Sequence, residues 1–170
     1  VMTGGDVQQN LERLHQEVDG AAESLSSRLG SRLKCKKGCF GCCVDDLSVF
    51  EVEAERIRRS HADLLLHGTP HPTGACAFLD DAGACRIYAD RPYVCRTQGL
   101  PLRWEEEDDS GAVVELRDIC ELNEPGDPGL VAMEAGDCWT LGPIEGRLAT
   151  LQVVSSGAPS RVRLRDLFED

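Results

Sequence analysis

Cysteine is the residue type most able to do chemistry in this sequence. The chain has nine cysteines, and four of them lie in the segment CKKGCFGCC: Cys35, Cys39, Cys42 and Cys43. Such short spacings let the sulfurs of one loop turn toward one centre, as in zinc and iron–sulfur sites. Gly38 and Gly41 favour a wrapping loop. Three flanking lysines should lower the thiol pKa values: Lys34, Lys36 and Lys37.

The adjacency of Cys42 and Cys43 restricts the kind of centre that both can join. Neighbouring side chains of an extended segment point in different directions, so one mononuclear metal would need a strained backbone to bind both. Two nearby metals, or a cluster of several iron atoms, accommodate the pair more easily. Alternatively, one of the two is a packing or redox-active thiol.

A second set of cysteines follows downstream, at Cys76, Cys85 and Cys95. Two short apolar runs flank DDAG, which predicts a tight hairpin that brings Cys76 and Cys85 together at its open end. Cys95 follows after one further turn. We expect this set to meet the first one, with Cys120 as an additional ligand, whereas the alternative is that these are core thiols. Cys138, beside Trp139, is a weaker candidate.

Two blocks of the sequence resemble the YkgJ-like cysteine-cluster family, whose domain is associated with zinc or iron chelation. The first block is CKKGCFGCC and the second is CAFLDDAGACRIYADRPYVCR, with CELN at 120–123 as a later echo. The resemblance covers about residues 35–105, which we take as the metal-binding core. It implies metal binding by seven cysteines: Cys35, Cys39, Cys42, Cys43, Cys76, Cys85 and Cys95. It implies no particular reaction.

Two arginines of the second block, Arg91 and Arg96, are candidates for binding a cofactor. Their guanidinium groups could donate hydrogen bonds to cluster sulfurs or to an anionic ligand, and such donors tune metal centres. The alternative is that each forms a salt bridge with one of the many acidic side chains.

The bulk composition excludes several function classes. A net charge of −12 argues against a nucleic-acid partner and against docking to an anionic membrane. The N-terminal residues lack a secretory signal, so we expect a cytoplasmic protein with reduced thiols.

The three-cysteine pattern C-x3-C-x2-C also occurs in radical S-adenosylmethionine enzymes. The 127 residues after Cys43 do not alternate strand with helix as their large barrel requires.

The elements that must position these cysteines form a mixture of helices and hairpins. We therefore predict a small, irregular α+β domain spanning residues 1–170. Apolar residues at helical spacing, from Val7 to Leu29, predict a long helix. Ser48 and Glu51 form a capping-box pattern for a second helix. The predicted elements are helices from residue 7 to near Gly30, at 49–66 and from Pro143, a helical turn at 90–96, and strands at 100–104 and 112–116.

The leading hypothesis is a cytoplasmic metal-binding protein that holds an iron–sulfur cluster or zinc through cysteine thiolates. Iron–sulfur is favoured because the thiols outnumber the four that one zinc needs. The role would be electron transfer, metal handling or support of a partner enzyme. The alternatives are a cluster-dependent enzyme with an open coordination site near Arg91, Arg96 or Tyr88, and a structural zinc module that presents its acidic surface to a protein.

Overall fold

A computed structural model describes residues 3–169 and shows an α+β arrangement, as the sequence predicts. Short 3-10 turns connect several of its elements. Within the described residues, no helix is both long and apolar enough to cross a membrane. The α-helices are α1 (Gly4–Leu29), α2 (Glu51–Ser60), α3 (Ala62–His67), α4 (Tyr93–Arg96) and α5 (Pro143–Ser156).

The long first helix is confirmed, and it begins earlier than its apolar stripe. Thr3 caps α1: the Asp6 amide donates to its hydroxyl at 3.2 Å, and its own amide donates to the Asp6 carboxylate at 2.9 Å. This reciprocal arrangement satisfies two amides that the helix itself leaves unpaired. The helix ends at Leu29, and six positions of the stripe are buried: Val7, Leu11, Leu14, Val18, Ala22 and Leu25.

The strands form two small sheets. An antiparallel pair joins β1 (Ser48–Phe50) to β5 (Arg161–Arg163). The other sheet has the order β3-β2-β4, with β2 antiparallel to β3 and parallel to β4. The predicted hairpin at 100–116 is thus confirmed, with the strand ends displaced by one to three residues. The members of this sheet are β2 (Leu102–Glu107), β3 (Val113–Asp118) and β4 (Trp139–Thr140).

The prediction of one capped helix over residues 49–66 is wrong in two respects. Ser48 belongs to β1, so the capping box with Glu51 does not form and α2 begins only at Glu51. The amide of Val52 donates instead to the side-chain oxygen of Gln152 at 2.9 Å. The amide of Glu51, which the predicted cap would have satisfied, donates to the carbonyl of Ser160 at 3.2 Å. Two long-range contacts therefore satisfy the start of α2 in place of the local cap. The predicted helix is also interrupted at His61, between α2 and α3.

The tight turn around DDAG is confirmed, but the strands predicted beside it do not form. The amide of Asp80 donates to the carbonyl of Ala84 at 2.9 Å. The only ladder contact recorded there is a single bridge between Leu79 and Cys85. The next turn also differs, because α4 starts at Tyr93 and Pro92 precedes it as the N-cap.

Two apolar clusters lie on either side of α2. One packs the stripe of α1 against Phe50, Val52, Tyr93 and Leu148. The other contains Cys76, and further cysteines of the chain pack against it. Its buried members are Val49, Ala54, Ile57, Cys76, Phe78, Leu79, Ile87, Leu164 and Leu167, with Cys43 and Cys85 packed against them.

Candidate metal centre

The segment 35–43 is an irregular loop, as predicted, built from two successive turns. The amide of Cys39 donates to Lys36 O and the amide of Cys43 donates to Phe40 O, each at 2.9 Å. Gly38 allows the reversal with a φ of 88°, a conformation that other residues adopt at a cost. The cysteine side chains of this loop are exposed or half-buried.

Both ends of this loop are fixed by contacts with distant segments. At its start, the amide of Lys34 donates to the side-chain oxygen of Asn123 at 2.6 Å. At its end, the amide of Cys76 donates to the carbonyl of Cys43 at 2.8 Å. The loop is therefore held between the two other segments that carry candidate ligands, 76–95 and 120–123.

Four thiols interact electrostatically around Cys35 at the start of the loop, and we call them the loop group. Asn123 connects its two chain segments, because its amide nitrogen lies 3.6 Å from the sulfur of Cys35 and its backbone amide donates to Cys120 O at 2.7 Å. Partial burial raises the pKa of Cys35. The hydrogen bond from Asn123 opposes this rise, and the neighbouring thiols add to it. The loop group consists of Cys35, Cys39, Cys42 and Cys120.

A second set of four thiols interacts electrostatically around Cys76, which lies in the apolar cluster, and we call it the core group. Cys76 is buried within that cluster, and Cys85 approaches it through the turn at Asp80. Burial raises the pKa of Cys95 to about 12, and the thiols of Cys76 and Cys85 contribute to the rise. The core group consists of Cys43, Cys76, Cys85 and Cys95.

The adjacent cysteines lie where the two groups meet. The thiols of Cys42 and Cys43 hydrogen-bond to each other, which lowers the pKa of Cys42 to about 6 and raises the pKa of Cys43. Such a pair gives up its first proton easily and its second with difficulty, because the thiolate of one residue is stabilised by the proton of the other.

The predicted site residues are thus brought together without forming a finished coordination sphere. Among residues 3–169, no group of three or more His, Cys, Asp or Glu side chains is arranged so that it could hold a metal ion. All nine cysteines are free thiols. The donor set therefore suits zinc or an iron–sulfur cluster chemically, and binding would require the loops to draw the sulfurs closer together.

The loop start leaves little room beside Cys35. A Cβ atom added to Gly99 would lie 2.4 Å from the sulfur of Cys35, and Gly99 has a φ of 86°. Both facts require glycine at this position. The carbonyl of Gly99 also accepts a hydrogen bond from Asn123 at 2.8 Å.

The flanking lysines are not the main influence on the thiols. For each cysteine with a shifted pKa, the largest cause is burial or a hydrogen bond from another thiol. Lys34 directs its ammonium group to the carbonyl of Ser31. The expectation from sequence overlooked burial because the exposure of a loop cannot be read from its composition.

Arg91 and Arg96 share one acidic partner. Arg96 is buried and donates to the carboxylate of Asp19 at 2.5 Å, while Arg91 lies 3.4 Å from the same carboxylate. Arg91 also stacks over the ring of Tyr88 at 4.2 Å, and its charge acts to lower the pKa of Cys85. Cofactor binding by either arginine stays a prediction.

Two supporting residues were not found from the sequence. Asn123 lies in the CELN segment, but nothing there distinguishes its amide as the link between loop start and Cys120. Glu53 is buried, and its carboxylate accepts the amide of Tyr93 at 2.7 Å and approaches Nε2 of His15 at 3.2 Å. It thereby fixes the turn that carries Cys95, although it looks like any other glutamate of a charged helix.

Cys138 belongs to neither group. It is buried beside the second sheet, where burial raises its pKa and the charges of Arg117, Glu115 and Arg103 act on it. Its position gives a ninth cysteine that is separate from the candidate ligands.

Comparison with known protein families finds a match over the segment that carries the candidate ligands. A sequence model named CxxCxxCC and described as "Putative zinc- or iron-chelating domain" matches residues 34–121, just over half of the chain. No curated protein and no solved structure matches the chain. The match contains all eight candidate ligands, with three residues rather than two between Cys35 and Cys39. The chain therefore belongs to the CxxCxxCC family, and this membership supports chelation of zinc or iron.

Proposed function

We propose that this protein holds an iron–sulfur cofactor through the thiolates of the loop and core groups. The observation that carries the proposal is the convergence of cysteines from three chain segments around the loop at 35–43. Membership of a zinc- or iron-chelating family supports a metal, and the chemistry of the donors narrows the choice to metals that prefer sulfur.

Iron–sulfur is favoured over a single zinc by the number of donors. A structural zinc takes four ligands, whereas eight thiols gather here. Iron–sulfur clusters are held by cysteine thiolates and can use such a surplus. Zinc is the alternative outcome of the experiment below.

The residues of the chain would bind and shield the cofactor. The thiolates would supply the ligands, and the apolar cluster beneath the core group would keep water from one side. Arg91, whose charge acts on the Cys85 thiol, would offset part of the negative charge. A bound iron–sulfur cluster supplies one-electron transfer, so the protein would serve electron transfer, metal handling or support of a partner enzyme. This chemistry requires reduced thiols, as the cytoplasm provides.

The experiment is metal and acid-labile sulfide analysis of protein purified without oxygen. The proposal expects brown protein that contains iron and sulfide in comparable amounts, with Cys138→Ser as a control that keeps both. Colourless protein with stoichiometric zinc would overturn the iron–sulfur assignment and retain thiolate chelation. Protein that binds neither metal after reduction and reloading would overturn the function altogether.

A further inference from the structure

We propose that a cavity beside the start of the cysteine loop binds the carboxylate group of a small molecule through the guanidinium of Arg32. The cavity measures about 280 Å³ and lies between two chain segments, 29–34 and 122–127. Cys35 directly follows the first segment, and Cys120 lies just before the second. The ligand would therefore bind next to the candidate metal centre, although its binding does not depend on a metal.

Arg32 is a buried cation without an opposite charge. Among residues 3–169 two arginines are buried, and the other one, Arg96, donates to the carboxylate of Asp19. Arg32 is 9% exposed, and the described part of the chain gives it no acidic partner. Its Nη1 donates to the carbonyl of Pro128. A buried arginine is normally paired, because taking a charge out of water is costly unless an opposite charge compensates.

The remaining donors of Arg32 match the shape of a carboxylate. Nε and Nη2 are buried, and the described chain supplies neither with a hydrogen-bond acceptor. These two nitrogens share one edge of the planar guanidinium group, so they can donate in parallel to both oxygens of one carboxylate. Such a pair of charge-assisted hydrogen bonds would compensate the buried charge and give both nitrogens an acceptor.

Gly126 leaves space beside this guanidinium group. A Cβ atom at this position would lie 2.7 Å from Cζ and from Nε of Arg32. The backbone does not itself require glycine here, since the φ of Gly126 is not positive. The space next to Arg32 is thus what a side chain would fill. Pro125 and Asp127 on either side are exposed, so this segment can move outward to admit a ligand.

The other residues around the cavity favour a small anion with a single charge. Lys34 contributes a second cation, whose ammonium group donates to the carbonyl of Ser31. Asp127 also lines the cavity, and its carboxylate would repel a doubly charged phosphate more strongly than a carboxylate. Leu122, which is 55% exposed, offers apolar contact to the body of a small organic acid.

The test is isothermal titration calorimetry of the protein purified without oxygen, with sodium acetate as the probe and sodium chloride keeping the ionic strength constant. The unaltered chain should bind acetate in one saturable step. Arg32→Lys keeps the charge but removes the paired donors, and Gly126→Ala places a methyl group against them. Each should weaken binding about tenfold or more. Gly129→Ala is the matched control, because a Cβ atom there meets nothing within 4 Å.

A second pair of variants tests the contribution of charge at the cavity. Lys34→Gln should weaken acetate binding by a smaller factor, roughly two- to fivefold, because the ammonium group is exposed. Lys36→Gln removes the same charge from a neighbouring exposed position that does not line the cavity, and it should leave binding unchanged. Equal weakening in both variants would contradict binding in this cavity.

Three results would overturn the proposal. The first is that the unaltered, folded chain shows no saturable acetate binding, which would leave Arg32 with the role of holding Pro128. The second is that Arg32→Lys and Gly126→Ala both bind acetate normally, since the anion would then bind elsewhere. The third is tighter binding of inorganic phosphate than of acetate, which would contradict a carboxylate ligand. Metal analysis of the same samples keeps the two proposals apart, because protein that binds acetate but no metal would contradict only the proposed function.

Discussion

The loop group and the core group have the same ligand chemistry but different surroundings. Two thiols of the loop group are exposed, and polar contacts through Asn123 hold its segments together. In the core group, Cys76 belongs to the apolar cluster of the fully buried Phe78, and Cys43 and Cys85 pack against that cluster. The positions of the core-group cysteines thus follow from the packing of the apolar core, whereas those of the loop group depend on a few specific hydrogen bonds.

The largest expected effect distinguishes two phenylalanines that lie near the cysteines. Phe78→Ala should destabilise the metal-free protein by about 3–5 kcal/mol, because it empties a fully buried site beneath the core group. Phe40→Ala, in the loop, should cost about 1 kcal/mol, since the ring is 49% exposed. Urea denaturation under reducing conditions measures both. Equal losses would mean that the core group is not better supported than the loop.

The next effect uses two buried side-chain amides that each accept a hydrogen bond from a backbone amide. Asn123→Ala removes the acceptor of the Lys34 backbone amide, and Gln152→Ala removes that of the Val52 amide. Each variant should lower the free energy of unfolding by roughly 1–3 kcal/mol. Only Asn123→Ala should also speed the release of metal to a chelator, because Asn123 holds the loop group. Unchanged release in Asn123→Ala would contradict the role assigned to this residue.

A smaller effect compares two glycines with similar left-handed backbones. Gly99→Ala and Gly111→Ala should each cost about 1–2 kcal/mol from the strained φ alone. At Gly99 the new methyl group would also displace the sulfur of Cys35, whereas at Gly111 the nearest atom is 3.5 Å away. Metal content after dialysis should therefore fall only in Gly99→Ala. An equal fall in both variants would show that general destabilisation is responsible.

The smallest effect leaves stability unchanged and concerns alkylation of metal-free protein. With a pKa of about 6, Cys42 is mostly thiolate at pH 7, so its reaction with iodoacetamide should slow only below pH 6. Cys95, with a pKa of about 12, stays protonated and should react slowly until well above pH 9. Peptide mass spectrometry after timed labelling gives both rates. Equal labelling of the two at pH 7 would contradict the difference in pKa, which arises from the Cys43 thiol at Cys42 and from burial at Cys95.

The sequence was sufficient where the signal was local. The apolar stripe predicted α1, Pro143 predicted the start of α5, and the glycine-rich cysteine segment predicted a loop. The family was identified from the same local blocks. Each of these features depends on residues that are close together in the sequence, so it can be predicted without knowing what the segment packs against.

The rest depended on contacts between distant residues. Ser48 matches a helix cap but pairs with Arg163, and the Glu51 amide that the cap would have satisfied donates to the carbonyl of Ser160. The grouping of Cys120 with Cys35 requires Asn123 to reach the loop start, across 88 positions. No local pattern encodes such a contact, and composition does not reveal which thiols are buried.

X-ray absorption spectroscopy of the protein as purified without oxygen tests the central claim, thiolate ligation, most directly. We expect a first shell made of sulfur alone, at about 2.3 Å if the metal is zinc. With iron, a second iron atom should appear as a further scatterer. A first shell dominated by oxygen or nitrogen would contradict the account, because it would mean that the cysteines are not the ligands.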